Sequence, residues 1–147
     1  MIKTTFMQSE IAEKLPIGWY LKEADSLITH YTNIAFETHQ INRFHWQVLK
    51  NIDTHGKICK DLYYHQVNRF LTEAELDELL ESLISRNWIQ FTADHYSFTD
   101  TGKQEYAAIE SLQAKNKEKI MEGITTEEYL AAIQFLEKMI KNLGGKI

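Results

Sequence analysis

The sequence predicts a mainly α-helical chain with one small β-hairpin, flanked on both sides by long amphipathic helices. Apolar residues recur at steps of three and four over most of the chain. Thr-x-x-Glu capping boxes open helices at Thr72 and Thr125. Between them, Trp88–Thr92 and His95–Thr99 are β-branched or aromatic runs separated by Ala93-Asp94, the pattern of a short antiparallel hairpin.

The elements follow in order. Pro16 suits the start of a helix, where its missing N–H has no helical partner. From there Tyr20, Ala24, Leu27, Tyr31 and Ile34 alternate steps of four and three, predicting a long helix over Ile17–His39. A second helix is expected from Arg43 to Thr54, with a turn at Thr54-His55-Gly56, and a third over Ile58–Phe70. The Thr72 box opens a fourth, Thr72–Arg86, with Leu76, Leu79, Leu80, Leu83 and Ile84 as its buried stripe and Asn87 as a left-handed stop. After the hairpin, Thr101-Gly102-Lys103-Gln104 is expected to cap a helix running to Met121, and Gly123 breaks it. The last helix runs from Thr125 to Leu143, with Tyr129, Ile133, Leu136, Ile140 and Leu143 at heptad spacing.

At 147 residues the chain is long enough to bury a core as one domain. Its 44% apolar and 25% charged residues exclude a disordered, collagen-like or disulfide-stapled chain. No run approaches the ~18 apolar residues that span a bilayer, so no membrane partner is expected. Met1–Glu10 lacks the apolar run of a signal peptide. The single cysteine, Cys59, fits a reducing cytoplasm, the expected location.

A helix, a helix pair and a hairpin in that order form a winged helix-turn-helix, in which the second helix of the pair enters the DNA major groove. Here the pair is Ile58–Phe70 and Thr72–Arg86, and the wing is Ile89–Phe98. The expected DNA contacts are Thr72, Glu73, Ala74, Glu75 and Glu78 in the groove, with Lys57, Lys60 and Arg69 along phosphates and His95 on the wing. Residues 41–100 then form the winged core, while 10–40 and 101–147 are dimerisation segments of a single regulator chain. Their surplus apolar faces predict a homodimer through Leu15, Ile17, Trp19 and Tyr20 at one end and Tyr129, Ile133, Leu136, Ile140 and Leu143 at the other.

Five segments resemble the multiple-antibiotic-resistance regulator (MarR) family of bacterial transcription factors. They are Ile17-Gly18-Trp19-Tyr20-Leu21-Lys22, Arg43-Phe44-His45-Trp46-Gln47-Val48-Leu49, Leu79–Ile89, Phe98–Lys103 and Gly123–Tyr129, in the family's order and spacing. The resemblance implies a homodimer that binds double-stranded operator DNA and often holds a small ligand between its dimer helices and the winged domain. It places such a pocket at His30, Tyr31, His45 and Trp46, a set suited to a small aromatic or anionic effector.

Charge is where the chain departs from that pattern. The net charge is −5, yet Arg43–Phe70 carries +3 (five bases, two acids) and Thr72–Arg86 carries −4. In that helix Glu73, Glu75, Asp77, Glu78 and Glu81 stand against one base, Arg86, and the wing has no lysine or arginine. Phosphate neutralisation by lysine and arginine supplies nearly all sequence-independent DNA affinity. A second reading follows: a winged-helix dimer that has lost operator binding and serves as a ligand or protein-interaction module.

Other chemistry has little support. His55 and Cys59, or His39 and His45, do not make a metal set, and no HExxH or paired CxxC is present, so no metal and no cofactor is expected. Cys59 between Lys57 and Lys60 leaves a thiol sensor as a third reading. With no phosphate loop, nucleophile elbow or triad order, an enzyme is not expected.

Overall fold

The computed structural model describes residues 14–146; residues 1–13, which include the stretch read for a leader and the start of the 10–40 segment, lie outside them, as does residue 147. The described chain is helical with one two-stranded antiparallel sheet, as the sequence predicts. It divides into two compact units, Met1–Gln113 and Ala114–Ile147.

In the first unit, helix α1 spans Ile17–Phe36 and stops three residues before the expected His39. Glu37–His39 tighten into a 3-10 turn, and Gln40 takes a left-handed conformation that redirects the chain. Helix α2 spans Arg43–His55 and ends on Gly56, whose φ of 81° suits glycine. Its start is a capping box of unusual composition. Asn42 Oδ1 accepts from the Phe44 and His45 N–H groups, and His45 Nδ1 accepts from the Asn42 N–H at 3.1 Å. Histidine thus takes the place usually held by glutamate or glutamine.

Helix α3 spans Lys60–Val67, shorter than the expected Ile58–Phe70. Ile58 is taken by the hairpin instead: its N–H donates to Tyr96 O at 2.9 Å and the Tyr96 N–H donates back at 2.8 Å. Two strong backbone bonds to a strand outweigh one more half-turn of helix. Helix α4 spans Glu73–Ser85 behind the Thr72–Glu75 box, and Asn87 adopts the left-handed φ of 61° read from sequence. Leu76, Leu79, Leu80 and Leu83 are buried, each burial contributing about 1.5–3 kcal/mol. Ile84, expected in that stripe, is instead 41% exposed on the flank.

Strands β1 (Ile89–Thr92) and β2 (His95–Phe98) pair in register Ile89 to Phe98 through Thr92 to His95. Ala93 and Asp94 both have positive φ, as a two-residue hairpin turn requires. Helix α5 spans Asp100–Ile120. Its cap is Thr99, not the expected Thr101. The Thr99 hydroxyl accepts from the Gly102 N–H at 3.0 Å and donates to Asn87 O, tying the end of α4 to the start of α5. The core gathers Phe36, Leu49 and Ile52 with Leu76, Leu80, Leu83, Ile89, Tyr106 and Ile109.

Glu110 of α5 fastens α2 through a single oxygen. Its Oε1 accepts from Trp46 Nε1 at 3.2 Å and from the Tyr106 hydroxyl at 2.6 Å, with Lys50 Nζ at 3.8 Å. Burial first, and then that bond, raise the Tyr106 phenol well above its ordinary range.

In the second unit, helix α6 spans Thr126–Asn142 behind the Thr125–Glu128 capping box, both of whose bonds form. No described residue of α6 is buried. No described helix is long and apolar enough to cross a membrane.

Candidate nucleic-acid interface

Helix α4 turns by 100° per residue, so burying Leu76, Leu80 and Leu83 sends Ala74, Glu78, Glu81 and Ser85 to the opposite, exposed side. That side is the one a recognition helix offers to a groove. It carries two acids and no base.

The other charges of α4 are engaged within the protein. Glu75 Oε1 accepts from the Thr72 N–H at 3.0 Å, and the Thr72 hydroxyl accepts from the Glu75 N–H at 3.1 Å. These bonds, the backbone one foremost, hold the Glu75 carboxyl below its ordinary value. Lys60 Nζ lies 3.0 Å from Glu73 Oε1 and 2.7 Å from Asp77 Oδ1. Arg86, just past the end of α4, turns toward the protein: its Nη1 donates to His39 O at 3.0 Å and its Nη2 to Gln40 O, while the guanidinium lies 5.3 Å over the Trp88 ring.

Lys57 is exposed on the connector before Ile58, and Arg69 is exposed in the turn between α3 and α4. Neither forms an ion pair with another described residue. His95, on the wing, has Nδ1 2.8 Å from Ala93 O. The residues read as DNA contacts are thus spread over the connector before α3, the turn after it, α4 and the wing, and Lys60 is paired with Glu73 and Asp77.

The four residues read as a ligand pocket lie on two helices, His30 and Tyr31 on α1 and His45 and Trp46 on α2. His45 faces a hollow of about 330 Å³ with Asn42, Phe44, Leu71, Glu75, Glu78 and Leu79. Trp46 turns to Glu110, and His30 packs edge-on against Tyr31 on α1. A larger hollow of about 550 Å³ lies between α1, α2 and α3, bordered by Arg43, Phe44, Tyr63 and Phe70. Arg43 there is held by Asp25 Oδ1 and Thr29 Oγ1, each at 2.8 Å. Sequence reasoning missed this hollow because its walls come from three separate helices.

Burial, and secondarily Arg86, lower the His45 pKa from 6.5 to about 4. The ring is therefore neutral at pH 7, as its acceptor role in the α2 cap demands. Because the folded-state pKa is depressed, the contribution is complete above pH 6.5 and is lost as pH falls toward 4. Allowing for solvent screening of a partly exposed ring, the loss is ~1–2 kcal/mol. His45→Gln keeps an acceptor for the cap and is expected to flatten the stability curve between those pH values by that amount, measured by urea unfolding. An unchanged curve would show that the ring titrates freely.

The apolar residues read as a dimer seam are exposed in each unit. In the first, Leu15 and Ile17 are 51% exposed, Trp19 48% and Tyr20 41%; in the second, Tyr129, Ile133, Ile140 and Leu143 are exposed and Leu136 is half-buried. Cys59, the residue before α3, is a free, half-buried thiol. Among the described residues no group of three or more His, Cys, Asp or Glu is placed to hold a metal ion.

A helix pair followed by a two-stranded wing, with long helices before and after, defines the winged-helix class, and solved structures specify the variety. The fold is that of MarR regulators. The reduced form of MarR from E. coli matches with a TM-score of 0.71 at 17% identity, over 88% of this chain and 96% of that one. A MarR family protein from Mycobacterium tuberculosis, solved in complex with DNA, matches at 0.71 and 12% identity, over 86% and 98%. A probable transcriptional regulator from Pseudomonas aeruginosa matches at 0.71 and 16%, over 85% and 97%. No protein-family profile and no curated protein matches the sequence.

Proposed function

We propose that this chain is a homodimeric, cytoplasmic DNA-binding transcription regulator whose operator affinity responds to a small-molecule ligand. One observation carries the reading: α4 buries its leucine face and leaves its outer face exposed, while Lys57 and Arg69, exposed before and after α3, form no ion pair with another described residue. Thr72–Glu78 enter the major groove, Lys57 and Arg69 grip phosphates, and the wing approaches the neighbouring minor groove. The exposed apolar faces of α1 and α6 are each covered by a second copy, since a two-fold dimer reads half-sites about one helical turn apart. An aromatic or anionic effector acts by binding the two dimer shapes unequally. The hollow at His45 adjoins α4, which suits it to that role.

A second reading has its own support. Glu78 and Glu81 face outward with no base on the helix beside them, as in a module that binds a protein or ligand instead of DNA. A salt titration against the region upstream of the protein's own gene separates the two. A regulator binds with log K falling linearly with log salt. Absence of binding to any upstream fragment at low salt, by a folded dimer, would overturn the DNA reading and leave the interaction module.

A further inference from the structure

Lys60 opens α3, and its side chain is met by Glu73 and Asp77, which stand one turn apart on α4. Those two carboxylates raise the basicity of the ammonium, Asp77 the more strongly, so the cation stays charged. Two residues before Lys60, Ile58 exchanges backbone hydrogen bonds with Tyr96 of β2, so α3 starts beside the wing. In such a pair the first helix crosses the DNA backbone, where a cation on it can meet a phosphate. Here that cation is Lys60, which two acids of the neighbouring helix already hold.

We propose that Lys60, Glu73 and Asp77 form a self-masking contact that sets the DNA selectivity of this surface, the two carboxylates holding the ammonium that α3 would otherwise offer to any phosphate. The inference rests on the regulator reading of α4. Sequence-independent affinity is almost entirely phosphate neutralisation, so a masked lysine adds little to binding of random duplex. At an operator, base contacts hold α4 in register and bring one phosphate close enough to compete for Lys60. Selectivity is a difference of affinities, and it rises here because the non-specific affinity is lowered. The same contact accounts for two of the five acids that set this helix against DNA.

The test uses the full chain, as wild type and as Glu73→Gln/Asp77→Asn, titrated with KCl against a random-sequence duplex of about 30 base pairs and against the upstream fragment. The double variant is expected to bind random duplex at least ~10-fold more tightly at low salt, with a log–log slope steeper by about one per protomer. Adding Lys60→Gln to it is expected to remove that gain. A contact that merely straps α3 to α4 would shift the thermal midpoint and leave the slope unchanged. If wild type binds the upstream fragment and the double variant shows no steeper slope, masking is overturned while the regulator reading stands. If neither folded protein binds any duplex at low salt, the regulator reading falls and takes the masking with it.

Discussion

Gly102→Ala is expected to cost about 3 kcal/mol or more, a large share of the ~5–15 kcal/mol that holds a domain of this size. Inside a helix this substitution ordinarily gains about 1 kcal/mol, because glycine is the poorer helix former. Geometry reverses the sign. A Cβ on Gly102 would lie 1.8 Å from the Trp88 carbonyl oxygen and 2.7 Å from its carbon. The obstacle is backbone, and it is pinned. Trp88 O accepts from the Thr99 N–H, and the Trp88 N–H donates to Leu83 O, both at 3.0 Å. Relief therefore requires separating α5 from the junction of α4 and β1, where Trp88 is 7% exposed. Gly18→Ala is the matched control: nothing lies within 4 Å of its Cβ position, and it is expected to be neutral or to gain up to ~1 kcal/mol. Urea unfolding of the two variants checks both signs. Equal stabilities would mean that α5 does not approach Trp88 this closely.

The elements were legible wherever a local rule acts alone. The Thr72 and Thr125 boxes, the Asn87 stop, the Ala93-Asp94 turn and the leucine stripe of α4 each depend on residues within four positions of one another. What escaped depends on residues far apart in sequence. Ile58 leaves the helical register because Tyr96, thirty-eight positions on, offers it backbone partners. Gly102 reads as part of a cap, and only the fold reveals it as a contact surface for Trp88. The capping role of His45 had a visible signal in Asn42-x-x-His45, since the spacing is that of a capping box with an imidazole acceptor.

The candidate interface was harder to read, because counting charges along the chain says nothing about where each side chain is spent. The excess of acids on α4 is present in the fold, but it is distributed unevenly. Glu75 serves the cap, Glu73 and Asp77 share Lys60, and Glu78 and Glu81 remain outward. On the proposed regulator reading, an acidic helix of this kind gains little from general phosphate attraction and would depend on specific base contacts. Carboxylates are among the side chains that accept from cytosine N4.

Arg86, the one base that sequence sets against those acids, is expected to matter for stability and not for phosphate contact. Its guanidinium bonds the His39 and Gln40 carbonyls across a separation of forty-seven and forty-six residues and covers the Trp88 ring at 5.3 Å. Arg86→Met keeps much of the volume and removes the charge. Losing two charge-assisted bonds and a cation–π contact is expected to cost ~2 kcal/mol, since the carbonyls recover only part of that from water. The His45 pKa should also rise from about 4 and remain below 6.5, because burial, its main cause, persists. NMR titration of the imidazole reads this directly. In DNA binding, loss of the strap between α4 and the turn after α1 should weaken affinity at every salt concentration with an unchanged log–log slope. A slope shallower by about one per protomer would instead put Arg86 on a phosphate and overturn its inward assignment.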